Sequence, residues 1–216
     1  KENVEAVRAG ANTNMARHIR NMSRFGVPVI ASVNVFPTDT DAEIEALVEE
    51  ARDAGASDAV VTRVHSDGGE GGADLAQAVV SACQSHIAEG RPFEPLFGPN
   101  APLEEKMLRI ATNVYGAASI DLAPKALNEL KTLQNWGYGN LAVCMAKTQY
   151  SFSHEMKELG APSGFTLPIR ELRLNAGAGF IVAICGTMMT MPGLPRIPAG
   201  KNMDMDEDGN LLGMFR

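Results

Sequence analysis

Three short stretches of this chain gather side chains able to hold a ligand or do chemistry. Residues 34–40 read NVFPTDT and set the ring of Phe36 beside Pro37. Proline fixes its own backbone angle, so a ring next to it becomes a rigid apolar shelf for a flat ligand. The competing reading packs Phe36 into the core and leaves Thr38, Asp39 and Thr40 to cap the next helix. Residues 65–72 read HSDGGEGG, and glycines of this kind let backbone N–H groups approach a phosphate or carboxylate. Asp67 and Glu70 would repel such an anion, and no Lys-Ser or Lys-Thr follows the glycines, so a plain strand-to-helix turn competes. His65 is a candidate base, or a histidine with no chemical task. Residues 147–153 read KTQYSFS, in which Lys147, Thr148, Gln149, Tyr150 and Ser151 all form hydrogen bonds. That run suits a carboxylate or an amide-rich heterocycle, or a polar loop that satisfies its own backbone. Farther on, RELRLNAGAGF places Arg170 and Arg173 on opposite strand faces by the period of two, with Glu171 to neutralise one. Its glycines do not complete GxGxxG, so no dinucleotide site is expected.

These stretches lie between elements that the hydrophobic pattern defines. Val4, Val7, Ala11, Met15, Ile19 and Met22 recur at helical spacing, predicting a helix that ends near Phe25 with Gly26 as its cap. VPVIASV (27–33) reads as a strand buried on both faces, as parallel strands are. Thr40 to Glu43 spells T-D-A-E, a capping box that opens a helix ending at Gly55. A second strand over 58–64 and a helix over 73–87 follow. This alternation predicts a parallel sheet with right-handed crossovers. The proline-rich residues 90–102 form a connector. Helices over 103–114 and 124–136 come next, then a buried strand over 141–146. Two more strands, over 165–176 and 179–185, meet at a glycine bend or bulge. MPGLPRIP (191–198) reads as a surface segment, and Asp208-Gly209 as the turn of a short terminal hairpin. In open α/β sheets ligands bind beyond the carboxyl ends of the strands, where all three polar loops fall. If their strands are neighbours, the loops line one crevice.

Composition narrows the function classes. Hydrophobic residues are 45% and charged residues 21%, a globular balance. Lys and Arg number 19 against 26 Asp and Glu, and the net charge of -7 disfavours a broad nucleic-acid surface. No apolar run reaches the roughly 20 residues of a membrane helix. Cys83, Cys144 and Cys185 are far apart with no CxxC, so neither a disulfide framework nor a cysteine zinc site is expected. Two of the three lie in apolar runs and read as buried thiols, which fits a reducing cytoplasm or mitochondrial matrix. The first residue is Lys1, and the opening helix carries no obvious cap, so residues upstream are expected.

Four stretches resemble the formate–tetrahydrofolate ligases: FGVPVIASVNVFPTDTDAEI, DGGEGGADLA, LAVCMAKTQYSFS and IRELRLNAGAGFIVAICGTMMTMPGLPRIPA. The resemblance covers essentially the whole chain. It implies the C-terminal part of an enzyme more than twice as long, which joins formate to N10 of tetrahydrofolate through formyl phosphate. ATP with Mg²⁺, activation by a monovalent cation such as K⁺, and a homo-oligomer are implied with it. It further implies an α/β fold with a mostly parallel sheet flanked by helices. Residues 1–95 would be the half of a P-loop-NTPase-like domain that lacks the P-loop, and residues 96–216 a smaller α/β C-terminal domain with the terminal hairpin.

The chain has no GxxxxGK[ST], so the catalytic P-loop residues are expected upstream and this chain alone is expected to be inactive. Carried over position by position, the resemblance lays Phe36 and Pro37 against the folate ring system and puts Val61 in contact with the pterin. His65 stands where the family has a stacking tryptophan, and Trp136, at a helix end, does not replace it. Lys147, Gln149 and Tyr150 match a family motif without individual roles. Two other classes remain: a stand-alone folate-binding chain, which His65 favours because relaxed selection would allow it, and an assembly piece of a heteromeric synthetase.

Overall fold

The computed structural model describes residues 1–187, 196–209 and 211–213. Helices α1 (Val4–Gly10) and α2 (Ala16–Ser23) run on through a π-helical turn, Ala11–Met15. Then come β1 (Ile30–Asn34), α3 (Asp41–Asp53), β2 (Asp58–Thr62), α4 (Val64–Asp67) and α5 (Ala73–Glu89). After the connector, α6 (Leu103–Ile110) passes into a second π-helical turn, Ala111–Tyr115. The chain continues through β3 (Ser119–Leu122), α7 (Pro124–Asn135), β4 (Ala142–Ala146), β5 (Thr166–Asn175) and β6 (Phe180–Cys185). Strands β7 (Asp204–Met205) and β8 (Leu211–Leu212) pair as the terminal hairpin. Residues 191–195 of the expected surface segment lie outside the described residues.

The fold is α/β, with mixed, mostly parallel sheets flanked by helices. β1 and β2 form a parallel pair, and a second sheet runs in the order β3-β5-β6-β4. In it β3 is parallel to β5 and β4 to β6, while β5 and β6 form an antiparallel hairpin. Strand β3 has no counterpart in the sequence reading, because SIDL is too short and too mixed to show a period. Strand β4 is an edge strand with alternating exposure, not the buried strand that LAVCMA suggested, so Cys144 is exposed and Cys185 alone of the three cysteines is buried. Ser32 and Asn34 of β1 are exposed too, in a pair of strands that has no further partner among the described residues.

The main core lies against the second sheet. Leu103, Met107 and Ala111 from the α6 segment and Ala126, Leu130 and Leu133 from α7 pack on Leu167, Ile169, Ile181 and Ala183. Among them sits Lys106, only 2% exposed. Its Nζ donates to the carbonyls of Asn140 (2.9 Å) and Leu141 (3.0 Å), which fastens α6 to the entry of β4. A smaller cluster of Ile19, Ala51 and Ala59 joins α2 and α3 to β2. Helix α2 also spans both sheets' surroundings, since Asn21 Nδ2 donates to the Val114 carbonyl at 2.9 Å.

The expected face assignment of the two arginines fails at a bulge. The β5–β6 register shifts between Ile169 and Glu171, so Arg170 and Arg173 are both exposed while Glu171 is buried. A bulge adds one residue and reverses the alternation beyond it. Glu129 Oε2 accepts from the Leu172 N–H at 2.7 Å beside the bulge, and Glu171 is paired with Lys125 and Arg173.

Candidate functional site

Two of the three polar loops meet, because β1 and β2 are parallel neighbours with Val33 opposite Val61. Ser32 and Thr62 share a hydroxyl contact of 3.2 Å, and the Val35 N–H donates to the Thr62 carbonyl at 3.0 Å. The strands are thus locked together just before their loops diverge.

In the first loop, the Asp39 N–H donates to the Phe36 carbonyl (3.0 Å), and the Phe36 N–H donates to Asp39 Oδ2 (2.8 Å). Pro37 occupies the second position of this turn, where its fixed backbone angle fits. Phe36 is 47% exposed, so it stands on the surface and does not fill the core. Behind it the expected capping box forms: the Glu43 N–H donates to Thr40 Oγ1 at 3.3 Å, and the Thr40 N–H donates to Glu43 Oε2 at 3.2 Å. Glu43 Oε1 also accepts from the Asn3 N–H at 2.8 Å, tying α1 to the loop.

The hydrogen bonds from Asn3 and then Thr40 hold the Glu43 carboxyl below its ordinary 4.5. A carboxylate favoured by folding stabilises above its ordinary value, and that contribution disappears as pH falls through the lower folded value. Glu43→Gln is therefore expected to flatten the decline in urea midpoint on acidification below 4.5. Identical pH slopes for the two proteins would show that these contacts do not hold in solution.

The second loop follows the plain strand-to-helix reading. It winds into α4 and a 3₁₀ stretch, Gly68–Gly72, closed by the Arg63 N–H donating to the Gly71 carbonyl at 3.0 Å. A Cβ at Gly71 would lie 2.5 Å from the Arg63 carbonyl, and Gly68 has φ of 61°. Two of the glycines thus serve tight packing and a left-handed turn. His65, carried on α4, is exposed, and its ring lies 5.7 Å from that of Phe36, tilted by 45°. Stacking a flat ligand between two rings needs their faces about 7 Å apart, twice the contact distance of carbon atoms. The pair touches in this structure, and a ligand would enter by turning one ring aside.

The third loop lies apart from this pair, after β4 of the other sheet. Lys147 Nζ donates to the Thr148 carbonyl (3.0 Å) and to the Ser151 carbonyl, and sits 4.8 Å over the Tyr115 ring. Burial holds its pKa below the ordinary value. Ser151 Oγ donates to the Glu158 carbonyl at 2.6 Å, and His18 and Phe152 bring their rings to 5.0 Å. The loop satisfies much of its own backbone, as the plainer reading of KTQYSFS had it, while Gln149 and Tyr150 stay exposed. Asn14, His18 and Tyr115 join Lys147, Gln149 and Tyr150 around one cleft. The first and third of these additions sit on the two π-helical turns. No sequence signal marked them, because one extra residue in a turn leaves the apolar spacing on either side intact.

A family model described as formate–tetrahydrofolate ligase matches residues 1–215. The formate–tetrahydrofolate ligase of Paracoccus denitrificans (strain Pd 1222) is 49% identical over 214 residues, 99% of this chain and 38% of that protein. Those of Latilactobacillus sakei subsp. sakei (strain 23K) and Staphylococcus aureus (strain JH9) are each 46% identical, over 99% and 100% of this chain. The chain spans only 37% and 38% of the length of these two relatives.

Proposed function

The chain belongs to the formate–tetrahydrofolate ligase family, and from that membership we propose that it forms one wall of the folate crevice of an ATP-dependent ligase. The observation that carries the proposal is the meeting of Phe36 and His65 at the carboxyl ends of two paired parallel strands. Phe36 supplies one apolar face for the pterin, Pro37 stiffens it, Val61 near the end of β2 adds apolar contact, and His65 covers the other side. In the reaction so assigned, an oxygen of formate attacks the γ-phosphorus of ATP and ADP departs, leaving formyl phosphate. N10 of tetrahydrofolate then attacks the formyl carbon, phosphate leaves, and the nitrogen gives up its proton. Phosphorylation supplies the leaving group that formate lacks, and the protein contributes mainly position and charge stabilisation.

The triphosphate and its ion call for a motif that this chain does not carry. It has no GxxxxGK[ST], whose lysine and hydroxyl would hold the phosphates and Mg²⁺. Following the family resemblance, ATP with Mg²⁺ is assigned to a P-loop portion of the protein outside this chain, and this chain alone is expected to be inactive. The division into residues 1–95 and 96–216 belongs to the same proposal, supported by two sheets that share no strand and by the proline-rich connector between them. So do a homo-oligomeric assembly and a cytoplasmic setting, the latter supported by bacterial relatives. No helix among the described residues is long and apolar enough to cross a membrane.

His65 offers a direct test. Indole covers more of a pterin face than imidazole, so His65→Trp in the intact enzyme is expected to tighten tetrahydrofolate binding about fivefold by calorimetry. Unchanged or weaker binding would mean that His65 does not lie over the folate ring.

A further inference from the structure

We propose that the cleft between the two π-helical turns and the third loop is a second binding site, for a flat neutral nitrogen heterocycle of the purine or pterin type. It is independent of the Phe36–His65 pair and measures about 330 Å³, within the span of roughly 300 to 1,000 Å³ usual for small-molecule sites.

The obvious reading of a lysine in such a cleft is an anion site, and the geometry opposes it. An ammonium has three donors. Lys147 gives two to the carbonyls of Thr148 and Ser151 and turns toward the face of Tyr115. No other Lys or Arg, and no Asp or Glu, lines the cleft among the described residues. What remains free carries no fixed charge: the amides of Asn14 and Gln149, the hydroxyls of Tyr115 and Tyr150 and the imidazole of His18 meet no polar partner among the described residues. A phenol is protonated at neutral pH, and burial pushes that of Tyr115 further up, to about 12, so it stands as a donor.

A carboxamide presents one donor and one acceptor side by side, the pattern that pairs with the edge of adenine and equally with the amide edge of a pterin. Two such groups with aromatic surface beside them make a recognition set for a flat heterocycle. The π-helical turns add the second indication. Each puts one residue, Asn14 or Tyr115, into this cleft, and such turns are rare and frequent at functional sites.

The imidazole resonances of His18, a cleft residue, report occupancy in the intact protein while adenosine, 6-methylpterin, inorganic phosphate or glutamate is added. The expected result is saturable movement of His18 with adenosine or with 6-methylpterin, and none with phosphate or glutamate. Adenosine alone would make the occupant a nucleotide base, and 6-methylpterin alone a folate ring. Gln149→Ala and Asn14→Ala should each weaken that binding about tenfold. Gln149 is exposed, so its variant keeps the fold even should Asn14→Ala disturb the helix. Phe36→Ala should leave the binding unchanged, which separates this site from the proposed folate face. The inference is overturned if phosphate or glutamate moves His18, if neither heterocycle does, if Gln149→Ala binds as tightly as the parent, or if Phe36→Ala abolishes the effect.

Discussion

Phe36→Ala in the intact enzyme is expected to weaken tetrahydrofolate binding by about 2 kcal/mol, roughly 30-fold, in line with the loss of one ring stacked on a heterocycle. ATP affinity should not change, because the proposal assigns the triphosphate to the P-loop portion and not to the Phe36 face. Phe36 is 47% exposed and its backbone is held by the Phe36–Asp39 turn, so truncation removes a surface ring and leaves the turn intact. Thermal midpoints of parent and variant should therefore agree within a degree or two. Equal losses of folate and ATP affinity, together with a lowered midpoint, would make Phe36 a structural residue.

The second large effect concerns stability. Lys106→Ala deletes a buried four-carbon stem and leaves the carbonyls of Asn140 and Leu141 without their donor. A cavity plus two orphaned acceptors costs about 3 to 5 kcal/mol. Lys106→Met keeps most of the volume and loses only the hydrogen bonds, for about 1 to 2 kcal/mol. Urea unfolding of the intact protein should show that order. Should the two variants lose the same amount, the carbonyl contacts rather than the packing would carry the whole effect. If Met matched the parent, the ammonium would contribute nothing net.

Much of this was legible in the residues, and the exceptions have physical causes. The T-D-A-E box announced the start of α3, and its reciprocal hydrogen bonds are present. The parallel pairing of β1 with β2 followed from helix–strand alternation. Asp208-Gly209 marked the terminal turn correctly. Strand β3 escaped because four residues carry too little pattern, and its strand character comes from pairing with β5. The bulge at Arg170 and the π-helical turns are single-residue insertions, which leave hydrophobic spacing nearly unchanged on either side. Lys106 looked like any charged helix residue, and only the fold reveals that its stem is core. For the site, the resemblance named Phe36 and His65 and the fold brought their rings together, whereas Lys147 proved to be engaged by its own loop. A sequence shows that a lysine is present but not which acceptors have already claimed it.

The most direct test of the folate assignment uses the four histidines as reporters. His65 lies on the proposed folate face, His18 in the second cleft, His86 on α5 and His154 beside Phe165. The imidazole resonances of the intact protein would be followed during titration with tetrahydrofolate, with any His18 movement assigned separately by the Gln149→Ala variant. The expected result is a saturable upfield shift of His65, from the ring current of a pterin stacked on it, with His86 and His154 unmoved. Saturation of tetrahydrofolate binding with the His65 resonances unmoved would contradict the assignment and place the folate elsewhere.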